Sequence, residues 1–210
     1  MNMNPVKMVL LAGALAIGIV IALYVDNTTI PIGERPKQFS ELGGNFQLQS
    51  ELGDINLADY QGQVVVLYFG FLNCSEVCPS SVGVMSVAFK MLPESVGKGV
   101  QGFFISVDPS RDDVTSLHEF TQYFDPRILG LTGTKEEIDQ LTSNYGVYYS
   151  LVDMEKSVLD YTVDHMSRFY IIAPNGQLVD SMSHSTTPTE LAARITRTIE
   201  QYAQLMKENL

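Results

Sequence analysis

Residues 64–79 read Val64-Val65-Val66-Leu67-Tyr68-Phe69-Gly70-Phe71-Leu72-Asn73-Cys74-Ser75-Glu76-Val77-Cys78-Pro79, an apolar run that passes into a polar turn holding the chain's only two cysteines. Val64 to Phe69 are β-branched, aliphatic or aromatic without polar alternation, the pattern of a strand buried on both faces. From Cys78 the period changes. Val82, Met85, Val87, Ala88, Phe89 and Leu92 fit an apolar helical face, and Pro79 suits a first turn, where its missing N–H sacrifices no hydrogen bond. The stretch therefore predicts strand, turn and helix, with two sulfurs four residues apart on one face of the helix start. At that spacing they can share a soft metal ion or oxidise to a disulfide.

The same alternation continues outward. A second buried strand is expected at Val100 to Val107, a helix from Asp113 to Phe124, and a short strand at Ile128 to Leu131. Thr134 followed by Glu137 forms a capping-box pattern for a helix running to about Tyr145. Val147 to Val152 alternates, Val158 to Val163 follows, and Asp164-His165-Met166 reads as a loop before the strand Ser167 to Ala173. Pro174-Asn175-Gly176-Gln177 is a turn into Leu178 to Met182, and an amphipathic helix is expected from Pro188 to about Lys207. Upstream, Phe46 to Gln49 and Ile55 to Leu57 predict a β-hairpin at the head of a domain spanning 39–210. The expected class is α/β, a thioredoxin-like sheet with flanking helices: parallel strands joined through helices, then an antiparallel pair.

Ahead of that domain, the 18 residues from Met8 to Val25 carry no charge. A helix of that length extends about 27 Å, close to the roughly 30 Å hydrocarbon core, so a single transmembrane anchor at 8–25 is expected. Lys7 precedes it and no Lys or Arg follows until Arg35, so residues 1–7 should lie in the cytoplasm and the remainder outside it. A cleaved signal peptide is the competing reading, but the residues after the apolar run lack a small-x-small site. Residues 26–38, with Pro31 and Pro36, read as a linker. The net charge of −11 argues against a nucleic-acid partner, which needs clustered Lys and Arg.

Export bears on the cysteines, because an oxidising compartment favours disulfides. A bridge between residues four apart nevertheless closes so short a loop that it gains little chain entropy, which makes it a poor staple. Two thiolates suit Cu(I), and a neutral imidazole would complete a three-coordinate site. Of the three histidines, His118 falls within the amphipathic helix at 113–124 and His184 within a polar stretch after the last strand. His165 stands beside Asp164 just before a buried strand, where ligands are often placed; from periodicity alone it is equally a loop residue. Met85, Met166 and Met182 are thioethers that usually fill cores, and Glu76 is expected as a solvated charge at the helix start.

The blocks GGNFQLQSELGDINLADYQGQVVVLYFGFLNCSEVCPSSV, ISVDPSRDDV, FDPRILGLTGTKEEIDQL with YGVYYSLV, and YTVDHMSRFYIIAPNGQLVD resemble the Sco/SenC family in the family's own order, over about residues 39–205. The resemblance implies a thioredoxin-like copper chaperone held in the inner membrane by one N-terminal helix and facing the periplasm or the mitochondrial intermembrane space. It implies Cys74, Cys78 and His165 as ligands for Cu(I), with Cu(II) a second form for the same residues, and delivery to the CuA site of cytochrome c oxidase. The implied partners are the CuA-bearing subunit or its assembly factors and a periplasmic copper donor. Asp108 and Asp164 match acidic positions expected to support the site. The alternative implied activity is thiol-disulfide exchange, with Cys74 and Cys78 as the redox pair reducing a periplasmic target, an apo CuA site included. Two residues depart from the family pattern: Leu72 stands where Thr is usual, and Ser75 where Pro is usual.

Overall fold

In a computed structural model of the chain, the described residues are 13, 15–20, 37–154 and 160–208. The chain divides into two units, Met1–Gln38 and Phe39–Leu210. In the first, residues 13 and 15–20 are helical; the rest of the expected anchor, and the linker up to residue 36, lie outside the described residues. Among the described residues no helix is long and apolar enough to cross a membrane.

The second unit opens with the expected hairpin, β1 (Gln47–Ser50) antiparallel to β2 (Gly53–Asn56). Next come β3 (Val64–Gly70), α1 (Val77–Met91), a short α2 (Glu94–Gly97), β4 (Val100–Ser106), α3 (Val114–Phe124), β5 (Ile128–Leu131) and α4 (Lys135–Tyr145). The chain continues through β6 (Tyr149–Asp153), β7 (Tyr161–His165), β8 (Arg168–Ile172), β9 (Leu178–Ser183) and α5 (Pro188–Glu208). The central sheet has the order β5-β4-β3-β8-β9: β3, β4 and β5 run parallel, and β8 and β9 add antiparallel. This is the thioredoxin-like order, and β3 lies at its centre because every residue from Val64 to Gly70 is buried.

The two faces of β3 bury different partners. On one, Tyr68 stacks on Phe104, which meets Phe120 of α3, and an alanine-sized side chain at Gly102 would collide with Met85 and Phe89 of α1. On the other, Phe69 packs against Tyr145 of α4 and Tyr170 of β8, while Phe103 meets Phe46 and Tyr60 from the N-terminal segment. The capping box is formed at α4, with the Glu137 amide donating to Thr134 Oγ1 and the Thr134 amide to the Glu137 carboxylate. Two assignments differ from the sequence reading. α1 begins at Val77, so Cys74 lies in the loop before the helix and not with Cys78 on its first turn. Asp164 and His165 are the last two residues of β7, because Ser150 and Tyr149 of β6 pair with them in a separate two-stranded ribbon.

Candidate metal centre

The loop 71–76 joins the end of β3 to α1, and its geometry is set by three contacts. Glu76 occupies the N-cap position but makes no side-chain capping bond. The sulfur of Cys74 takes that place, accepting the Cys78 N–H at 3.4 Å and satisfying one of the donors a helix start leaves open. At the other end of the loop, the Leu72 N–H donates to the Asp112 carboxylate at 3.0 Å, and Ser106 Oγ donates to the same oxygen at 2.7 Å. Cys78 lies fully buried over Gly70, where an added Cβ would stand 2.7 Å from the sulfur. Only glycine permits that approach. Cys74 is half-buried, and both cysteines are free thiols.

His165 reaches the pair from the ribbon. Strand alternation buries Val163 and turns His165 to the same side, whereas Asp164 is exposed on the other. The imidazole stands edge-on to Phe71, ring centres 5.6 Å apart, with Nε2 3.9 Å from Cys78 Sγ and 3.3 Å from Ser167 Oγ. Burial lowers the His165 pKa below its ordinary value, and hydrogen bonds to the backbone of Val163 and Phe69 and the charge of Asp164 only partly offset this. The ring is therefore neutral at pH 7, with a lone pair to offer. Burial likewise pushes the Cys78 thiol far up, against the lowering effect of its hydrogen bond to the Phe71 backbone; the Cys74 thiol and the Asp112 charge push it further.

A metal bound to thiolate at about 2.3 Å and to imidazole at about 2.0 Å, with an angle of about 120° between them, sets its two donors about 3.7 Å apart. The 3.9 Å separation of Cys78 and His165 fits one shared ion. Cys74 lies against the N–H of Cys78, but among the described residues no three His, Cys, Asp or Glu side chains are drawn close enough to hold a metal ion as they stand; two sulfurs with one neutral nitrogen would form a soft set.

Of the supporting acids, Asp164 reaches His165 only as a nearby charge. Asp108 is buried away from the sulfurs, where it takes Arg111 Nε at 2.5 Å and the Tyr161 hydroxyl at 2.7 Å; the Arg111 guanidinium in turn lies 3.6 Å from the Tyr161 ring centre. It ties down the start of β7, the strand that ends on His165. His118 lies on α3 and His184 is exposed after β9; neither is brought to the cysteines by any contact among the described residues. Asp112, Gly70 and Ser167 were not singled out in the sequence. Asp112 follows Asp108 in a polar turn where nothing local distinguishes the carboxylate that turns inward.

A sequence model of the SCO1/SenC family matches residues 34–200. The chain belongs to the SCO1/SenC family. Protein sco1 of Schizosaccharomyces pombe is 33% identical over 208 residues, covering 92% of this chain and 76% of that protein. The human mitochondrial SCO1 homolog is 36% identical over 163 residues, 77% of this chain but 54% of its own length, so the chain spans only about half of some relatives. Among solved structures, Arabidopsis thaliana ScoI with copper bound is 34% identical with a TM-score of 0.71, covering 77% of this chain and 99% of that one. Yeast Sco1 with copper bound is also 34% identical, with a TM-score of 0.69 over 76% of this chain and 89% of that one. The SCO1/SenC match takes in the cysteine loop and the His165 ribbon alike.

Proposed function

We propose that this chain is a membrane-anchored copper chaperone that carries Cu(I) on Cys74, Cys78 and His165 and delivers it to the CuA site of cytochrome c oxidase. The observation that carries the reading is the 3.9 Å approach of a neutral imidazole at the end of β7 to a buried cysteine in the first turn of α1. Solved relatives of the same fold hold copper, which supports the cargo. Cu(II) would use the same three residues. Residues 8–25 would anchor the chain with 1–7 in the cytoplasm, 26–38 would act as a tether, and the domain 39–210 would face the periplasm or intermembrane space. Several relatives are mitochondrial by name. The partners are a copper donor on that side of the membrane and the CuA-bearing subunit or its assembly factors.

In transfer, the half-buried Cys74 is the ligand an acceptor meets first. An acceptor thiolate binds the ion as Cys74 lets go, so the metal passes through shared ligation while Cys78 and His165 hold it from beneath. Cys74 and Cys78 each give a thiol proton to solvent on loading and recover it on release. Asp108 acts at a distance, holding β7 through Tyr161.

Thiol-disulfide exchange is the second reading, favoured by the placement of one cysteine toward the surface and one behind it, as attacking and resolving thiols are placed. The deciding experiment uses the full chain, reduced anaerobically and titrated with Cu(I) against a competing chelator. One tightly bound Cu(I) per chain is expected. Binding should be lost in Cys74→Ser and Cys78→Ser and weakened at least about tenfold in His165→Ala. If His165→Ala binds like wild type while disulfide reductase turnover is robust, the oxidoreductase reading replaces this one.

A further inference from the structure

Behind the metal ligands lies a pair of hydroxyls that copper carriage as described above does not use. Tyr68, at the centre of β3, is fully buried, and its phenolic oxygen has no hydrogen bond of sound geometry among the described residues. Leaving a buried hydroxyl unpaired is costly, and native structures seldom do so without a reason. The hydroxyls of Ser81 on α1 and Ser167 just before β8 both act on the phenol, with Cys78 also in its neighbourhood. Ser167 is already engaged. Its Oγ lies 3.3 Å from Nε2 of His165, the ring atom that faces Cys78.

Register places these groups together. Tyr68 pairs with Phe169 across β3 and β8, so Ser167, two residues before Phe169, stands on the same side of the sheet at the level of Gly70, where Cys78 rests. One serine hydroxyl thus has two claimants, the lone pair of His165 and the unpaired phenol of Tyr68.

We propose that Ser167 is a latch that positions His165: in the metal-free chain its hydroxyl donates to Nε2 and holds the ring toward Cys78, and on copper binding it turns to pair with Tyr68. The proposal rests on the copper reading above. Nε2 has a single lone pair, so an ion bound there must displace the Ser167 hydroxyl. Released, that part-buried hydroxyl loses its partner; Tyr68 gives it another, and the buried phenol gains one. Loading therefore exchanges one neutral hydrogen bond for another, which keeps the imidazole oriented without opposing the metal. Tyr68 and Ser167 are positioning residues in this scheme and touch no reacting atom.

The test is a double-mutant cycle on the full chain, comparing wild type, Tyr68→Phe, Ser167→Ala and the double variant by Cu(I) competition titration. Nitrogen-15 spectra of His165 are recorded with and without copper. Tyr68→Phe removes an oxygen that is unpaired until copper arrives, so the metal-free fold and its Nε2 signal should stay as in wild type. Its Cu(I) affinity should drop about fivefold, the worth of one neutral hydrogen bond. Ser167→Ala should move the Nε2 signal of the metal-free protein, and adding Tyr68→Phe to it should weaken copper binding no further. Unchanged affinity in Tyr68→Phe, an equal loss with and without Ser167, or an Nε2 signal indifferent to Ser167→Ala each overturns the latch. If wild type fails to bind Cu(I), the carrier function itself falls, an outcome distinct from those three.

Discussion

Gly70→Ala isolates the packing on which the centre depends. Gly70 is not among the glycines with positive φ, so its backbone accepts alanine and only contact opposes the substitution. The new Cβ would lie 2.7 Å from Cys78 Sγ and 2.7 and 2.9 Å from two atoms of the Phe104 ring, all fully buried. Ordinary contact begins near 3.4 Å, so the sulfur, the ring or both must retreat by about 0.7 Å or more. Overpacking of this kind costs about 1–3 kcal/mol, and a domain of this size loses about 2–4 °C of Tm per kcal/mol. The less flexible unfolded chain of the alanine variant returns part of that, about 0.4–1 kcal/mol. The sulfur is displaced from a site in which Cys78 and His165 stand 3.9 Å apart, so Cu(I) affinity should fall about 10- to 100-fold, as it does when the packing behind metal ligands is disturbed. Gly102→Ala is the control, because it strikes the same helix at Met85 Sδ (2.8 Å) and Phe89 (3.0 Å), away from the cysteines. Thermal unfolding with chelator competition should show both variants destabilised and only Gly70→Ala impaired in binding. Equal copper affinity in the two variants would refute the idea that Gly70 seats the sulfur.

Four further outcomes follow from burial and pairing. Iodoacetamide at mildly alkaline pH should label Cys74 well before Cys78, whose buried thiol resists ionisation, as read by mass spectrometry of the metal-free chain. Because the His165 pKa is lowered from 6.5, the affinity advantage of wild type over His165→Ala should hold from neutral pH down to that value and shrink only below it. The same depression means the unfolded state binds more protons, so the metal-free fold should lose stability as pH falls through 6.5, an effect absent in His165→Ala. Asp108→Ala strips the buried carboxylate from Arg111 and the Tyr161 hydroxyl, and should destabilise by about 3 kcal/mol while speeding amide exchange in β6 and β7.

The fold was legible because its strongest signals were local. Val64 to Phe69 could only be a buried strand, and Thr134 with Glu137 marked a helix start that formed as a complete capping box. The cysteine pair was legible only as a strand-to-helix junction, since Cys78 lies on α1 but Cys74 lies in the loop before Glu76 and is brought back by the Cys78 N–H. His165 was harder. Its pairing with Tyr149 lengthens β7 by two residues over the sequence reading, and period-2 burial is weak in a ribbon whose β6 is half exposed. Asp112 and Ser167 act through long-range contacts, Asp112 on Leu72 across 40 residues of chain and Ser167 on a ring whose placement depends on the ribbon. No periodicity encodes such meetings.

The departures at Leu72 and Ser75 can now be weighed by what those residues touch. Leu72 serves the loop through its backbone N–H to Asp112, which any residue but proline would supply, and its side chain packs against the core. Ser75 is exposed, and the capping task it might have filled falls to the Cys74 sulfur. Ser75 is remote from Cys78, whereas Leu72 packs against the core that contains it and holds Asp112, whose charge acts on the Cys78 thiol. Thiol exchange needs a free thiolate at each sulfur in turn, and at Cys78 burial penalises that anion. Ligation would replace the Cys78 proton with a cation in the same step and so spare that sulfur a bare anion; two thiolates on one Cu(I) would still leave one negative charge, and neutral His165 would add a donor without adding to it. The desolvation that penalises a bare thiolate at Cys78 therefore weighs more heavily on disulfide exchange than on ligation of a cation.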